Sequence, residues 1–213
     1  MRVAIFGAAG NTGKHVVEVA LERGHEVTAF VRRPEALAAG RERLHVIQGD
    51  ALDAGAVERA VAGQEAVIQA LGLGGKGDGK PNSLVSDATR ILIGAMERAG
   101  VRRLVCMSNI GAGDSYGEMP VVFRGLLMPL FFRWLRPILE DKNRMEPLVT
   151  ASQLDWTLVR LPAILDRPAR GRRRVAASAR EVGFRITARD TAELLVEQLE
   201  DTTWVRRILC ASN

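Results

Sequence analysis

Short apolar runs alternate with helically spaced apolar positions along almost the whole chain. Val3-Ala4-Ile5-Phe6 is apolar on both faces, the mark of a buried parallel strand. From Asn11 to Arg23 the apolar positions Val16, Val17, Val19 and Ala20 recur at helical spacing and stop at Gly24. Strands are then predicted at 26–31, 44–47 and 66–71, with a short helix at 54–62 between the last two. A helix over 84–99 ends at Gly100 and leads into a strand at 103–108. Residues 111–120 read as loop, and 121–151 as mainly helical with Pro129 and Pro137 as interruptions. A sixth strand at 156–160, a basic loop, a helix at 189–199 and a strand at 205–209 complete the pattern.

This alternation predicts an α/β fold, a Rossmann-like doubly wound parallel sheet with helices on both faces. With 213 residues, no internal repeat and no flexible linker, residues 1–213 are expected to form a single domain. Small substrate-side insertions are expected after the fifth and sixth strands.

Chemistry enters at "GAAGNTG", residues 7–13, between the first strand and the first helix. Gly7 lets the chain turn, Gly10 lets the backbone approach a pyrophosphate, and Gly13 lets the helix pack closely. The N–H groups of Asn11 and Thr12 then face the phosphates from the positive helix end, and the Thr12 hydroxyl adds a donor. A dinucleotide cradle is the reading that this position supports. The second strand ends "FVRRP", where NAD-binding proteins usually carry an acid for the ribose 2′-OH. Arg32 and Arg33 instead offer forked donors for a 2′-phosphate, so NADP(H) is expected over NAD(H). Asp50, in "QGDAL", either accepts from the adenine amine or caps the next helix. Leu71 and Gly72 flank the ribose, and the glycine-rich loop after them is either a closing flap or slack.

Together "VAIFGAAGNTG", "FVRRP", "VIQGDALD", "AVIQALG", "AGVRRLVCMSNIGAG" and "SQLDWTLVRLPAILD" resemble the atypical short-chain dehydrogenase/reductases. Within them the chain resembles the NAD(P)H-binding, NmrA-like branch that includes biliverdin-IXβ and flavin reductases. The resemblance runs from residue 2 to about residue 200 and is more specific for fold and cofactor than for substrate. It implies that Gly7, Gly10, Thr12 and Gly13 hold the pyrophosphate and that Arg32 binds the 2′-phosphate. It also implies that Asp50 with Ala51 or Leu52 lines the adenine, that Ser108 and Asn109 lie by the nicotinamide, and that Pro162, Ala163 and Ile164 contact its carboxamide side. Lys142 falls where the family often has a basic or polar residue facing the active site.

One departure stands out. The single tyrosine, Tyr116, is followed four residues later by Pro120, so the usual Tyr-x-x-x-Lys acid pair is absent. Transfer of a hydride to a flavin, quinone or tetrapyrrole acceptor needs mainly proximity and orientation, so a reductase of such planar acceptors remains the reading. Ser108 and Lys142 are then the catalytic candidates, against a strand-end cap for the serine and a surface charge for the lysine. The alternative is a protein that binds NADP(H) without turnover and acts as a redox sensor through a protein partner. An isomerase using bound cofactor ranks last.

Composition adds limits. The net charge of +5 favours anionic ligands. The basic run 166–180 reads as a solvated loop near the substrate mouth that favours an anionic acceptor. With aromatics at 5%, specific nucleic-acid recognition is not expected. Residues 121–139 are the most hydrophobic window and read as a lid over a flat substrate or a homodimer contact, with a membrane-surface helix as the weaker reading. No apolar run reaches the roughly 18 residues of a membrane span. Cys106 and Cys210 lie in apolar strands without metal spacing, so no metal site is expected and reduced thiols point to the cytoplasm. The opening on a strand argues against a signal peptide.

Overall fold

The computed structural model describes residues 1–37, 41–72, 80–127, 130 and 133–213. Its main sheet has eight strands in the order β3-β2-β1-β4-β5-β6-β10-β8. These are β1 (Arg2–Phe6), β2 (Glu26–Val31), β3 (Leu44–Gln48), β4 (Ala66–Gln69), β5 (Arg103–Asn109), β6 (Asp155–Leu161), β8 (Arg174–Ala176) and β10 (Arg207–Ser212). All neighbours pair parallel except β8, which runs antiparallel to β10 at the edge. A separate two-stranded parallel ribbon joins β7 (Ala163–Leu165) to β9 (Arg185–Thr187).

Strand alternation explains the two cores. In β1, Val3 and Ile5 pack on one face of the sheet, with α1 (Asn11–Glu22) and α6 (Ala188–Glu197). Ala4 and Phe6 pack on the other, with α2 (Ala54–Val61), α3 (Leu84–Ala99) and α5 (Arg136–Ala151). The strand order reverses between β1 and β4, and a crevice opens beyond the carboxyl ends of the strands there.

The structure corrects the sequence reading in four places. The basic loop after β6 contains β7, β8, a 3-10 turn at Ala179–Glu181 and β9. The last strand begins at Arg207 and runs to Ser212, because residues 203–206 form a turn with Arg206 at φ +55°. The loop at 111–120 holds a short helix, α4 (Ser115–Glu118). Pro137 lies in the first turn of α5, where a missing N–H costs nothing, and Pro147 is the one inside that helix. Pro129 and residues 73–79 of the glycine-rich loop lie outside the described residues.

Candidate functional site

The glycine turn is built by one close approach. A side chain at Gly13 would collide with the carbonyl oxygen of Gly7, so glycine there lets α1 start directly against the turn. Gly10 is the N-cap, in extended backbone, and contributes no side-chain cap to the first turn of α1, which contains no acid. Gly7, Gly10, Asn11 and Thr12 line a cleft of about 1170 Å³ at the switch point. Gly13 shapes that turn from behind and is not among the lining residues.

Arg32 and Arg33 follow β2 and line the same cleft. Both are exposed, and among the described residues neither guanidinium joins an ion pair. Asp50 and Ala51 also line it, whereas Leu52 is exposed outside it. Asp50 Oδ1 accepts the Leu52 N–H at 2.9 Å, a local turn that fixes the carboxylate. The cap of α2 is Asp53, which accepts from the N–H groups of Gly55 and Ala56. That settles which of the two acids caps the helix. Leu71, Gly72, Asn109, Pro162, Ala163 and Ile164 line the cleft as well.

Lys142 of α5 is buried and reaches the cleft. Its Nζ donates to the carbonyl oxygens of Met107 at 2.8 Å and Leu71 at 3.4 Å, tying the ends of β5 and β4 together. Burial pushes its pKa below the usual lysine value. One turn earlier on the helix, where a Tyr-x-x-x-Lys pair would place its tyrosine, stands Ile138, also lining the cleft. Tyr116 is exposed on α4 with Arg124 over its ring, 5.9 Å from the centroid, and is not a lining residue.

Ser108 is placed differently from the sequence expectation. Strand alternation turns Met107 and Asn109 to the cleft and Ser108 toward α5. The hydroxyl donates to Glu146 Oε1 at 2.7 Å. Glu146 also receives Arg160 through Nε at 3.1 Å and Nη2 at 2.7 Å, and Arg160 Nη1 reaches Asp114 at 2.5 Å. Burial opposes the Arg160 charge, but Glu146 and Asp114 outweigh it and hold the pKa above the usual arginine value. This network underlies the end of β5 at Asn109 and the loop that starts at Ile110. Sequence reasoning missed it, although the signals were present: Glu146 follows Lys142 by one helical turn, and Arg160 interrupts an apolar strand.

The remaining lining is largely apolar and includes Met107, Met119, Pro120, Trp134, Leu135 and Ile138. Val121, Val122, Leu126 and Leu130, in the same hydrophobic window, are exposed. Cys106 and Cys210 are free and buried, and burial pushes their thiols up to about 12 and about 11, which disfavours the thiolate. Among the described residues no helix is long and apolar enough to cross a membrane.

A family model described as NAD(P)H-binding matches residues 7–202. The fold superposes on an Escherichia coli O157:H7 anaerobilin reductase with a TM-score of 0.81 and 22% identity, covering 100% of this chain and 97% of the other. It also superposes on a wide-type short-chain dehydrogenase/reductase of Veillonella parvula solved with NADP, with a TM-score of 0.81, 19% identity, and 100% and 94% coverage. In sequence, a Mycobacterium tuberculosis 3β-hydroxysteroid dehydrogenase/Δ5→4-isomerase is 34% identical over 131 residues, covering 53% of this chain. The chain spans only 35% of the length of that curated relative. The glycine turn, the cleft at the switch point and the family match agree: the chain belongs to the NAD(P)H-binding family and has a Rossmann-like fold, shared with the Veillonella parvula short-chain dehydrogenase/reductase.

Proposed function

We propose that residues 1–213 act as one NADP(H)-binding unit that reduces a planar, conjugated acceptor of the flavin, quinone or tetrapyrrole type. The observation that carries this reading is a single cleft with contrasting groups. Beside the glycine turn lie two guanidiniums that, among the described residues, join no ion pair, and elsewhere the lining is largely apolar, with Ile138 at the position of an acid tyrosine.

NADPH, when bound, supplies the hydride. Arg32 and Arg33 hold its 2′-phosphate, and the first turn of α1 holds its pyrophosphate. Asp50 and Ala51 flank the adenine, while Asn109 and residues 162–164 orient the nicotinamide. Met107, Trp134 and Ile138 exclude water from the reacting face. A conjugated acceptor spreads the incoming charge over its own ring system, so orientation is the main requirement and a strong positioned acid is not. Lys142 holds its ammonium at the Met107 carbonyl, where its lowered pKa suits it to release a proton. Ser108 acts from beneath as a positioning residue through Glu146. Of the window 121–139, the described residues Trp134, Leu135 and Ile138 serve as the lid, a role supported by their place in the lining. Free buried thiols suit the reducing cytoplasm.

The test is to titrate NADPH and NADH by fluorescence with wild type and Arg32→Ala, then to follow NADPH oxidation with FMN, quinones and linear tetrapyrroles. Tighter NADPH binding that Arg32→Ala abolishes, with turnover on one of these classes, is expected. Tighter NADH binding contradicts the cofactor choice. Tight NADPH binding without turnover on any of them contradicts the reductase.

A further inference from the structure

Residues 178–184 form part of the cleft wall on a backbone held at both ends. Glu118 Oε2 accepts the Ser178 hydroxyl at 3.1 Å and the Ala179 N–H at 2.6 Å. The Ser178 oxygen in turn accepts the Arg180 N–H at 3.2 Å. At the other end the Gly183 N–H donates to Ser212 Oγ at 2.7 Å, at the close of β10.

Two side chains on this held segment are exposed and, among the described residues, enter no ion pair or ring contact. The Arg180 guanidinium is exposed and, among the described residues, makes no ion pair. The Phe184 ring is 74% exposed. Both line the cleft. Four acids line the same cleft: Asp50 accepts the Leu52 N–H, Glu118 is engaged with Ser178 and Ala179, Asp141 accepts from Val85 and Ser86 at the start of α3, and Asp166 is exposed.

An uncovered aromatic ring takes the face of another planar system by offset stacking. A guanidinium on a fixed backbone takes a carboxylate or phosphate through paired donors. We propose that Arg180 and Phe184 form the acceptor-recognition site, selecting a conjugated ring that carries an acidic arm. Phe184 lies against the ring and Arg180 holds the carboxylate or phosphate. This deepens the reductase reading and rests on it. It assigns Arg180 to the acceptor, as Arg32 and Arg33 serve the cofactor.

The experiment uses the full chain loaded with NADP+ and two probe pairs that differ only in the acid: FMN with riboflavin, and biliverdin with its dimethyl ester. Binding is read by quenching for wild type, Arg180→Ala and Phe184→Ala. Arg180→Ala is expected to weaken the acidic member of a pair about tenfold and its uncharged partner less than about twofold, the scale of one charge-assisted contact. Phe184→Ala should weaken both members alike. The FMN pair reports a phosphate arm and the biliverdin pair a carboxylate arm. Equal binding of both members by wild type, an equal loss of both in Arg180→Ala, or no binding of any probe overturns the proposal. Arg180-dependent binding without NADPH oxidation sinks the reductase reading and leaves this site standing. Turnover without discrimination does the reverse.

Discussion

Ser108 and Glu146 share a hydrogen bond beneath the cleft, the hydroxyl donating to Oε1 at 2.7 Å. The serine is therefore engaged with a buried carboxylate that also binds Arg160. Ser108→Ala removes one donor and leaves Arg160 on the same oxygen. Stability in urea should fall by about 1.5–3 kcal/mol, the range for a hydrogen bond to a charged group. With saturating cofactor, kcat should stay within about tenfold of wild type, less than about 1.4 kcal/mol of barrier. A loss of several orders of magnitude in kcat with unchanged stability would make Ser108 a catalytic group.

Glu146 matters more than Ser108, because removing it strands Arg160. Both side chains are 6% exposed, and the remaining partner, Asp114, is 81% exposed. Glu146→Leu should lower stability by about 3–5 kcal/mol, the cost of breaking a buried pair on one side. Gly113 packs on this pair: a Cβ there would lie 2.5 Å from Arg160 Nη2 and 2.6 Å from Glu146 Oε2, at φ +56°. Gly113→Ala alone should cost about 1–3 kcal/mol. Combined with Glu146→Leu its added cost should shrink, since one of the colliding atoms is gone. Additive losses in urea melts would separate the loop from the ion pair.

Asp190 gives the fold an acid-sensitive joint. Burial alone would raise its pKa, but the Arg170 N–H, the Thr187 hydroxyl and the Gly171 N–H outweigh it and hold the carboxyl below its usual value. Its stabilising effect is thus full above the unfolded value of about 3.9 and is lost as pH falls through the lower folded value. Asp190→Asn should reduce stability at neutral pH and flatten the acid limb of a stability-against-pH curve. The same slope in wild type and variant would assign acid sensitivity to other carboxylates.

At the glycine turn, the collision predicted for a Cβ at Gly13 is with backbone, which has no rotamer to change. Gly13→Ala should therefore displace the start of α1, weaken NADPH binding more than tenfold, the loss of about 1.4 kcal/mol or more, and lower the melting temperature. Calorimetric titration with NADPH checks it. Unchanged affinity would place the pyrophosphate elsewhere.

The legible parts of this chain are those where local signals agree. α3 runs from Leu84 to Ala99 as the spacing indicates, because Gly100 closes it in the left-handed region at φ +70°. β2 likewise matches its apolar run between Gly24 and the paired arginines. Gly7, Arg32 and Asp50 lie just past strand ends next to such elements, so their convergence on one cleft was legible. β7, β8 and β9 were not, since each is three residues long, too short for alternation to register. The orientation of Ser108 depends on which side of β5 carries α5, and the Glu146–Arg160 pair joins residues on different elements. Such pairing is tertiary information. Arg180 and Phe184 share a wall only because Glu118 and Ser212 hold the segment between them.

The most direct measurement uses NADPH deuterated at its transferable position, mixed anaerobically with the protein and biliverdin in a single turnover. The account predicts that nicotinamide oxidation is faster than in buffer alone, that it slows for the deuterated cofactor, and that the label is recovered in the reduced tetrapyrrole at carbon. Repeating the isotope test with FMN or a quinone extends it to the other acceptor classes. Tight NADPH binding with no protein-dependent oxidation by any of the three would contradict the account.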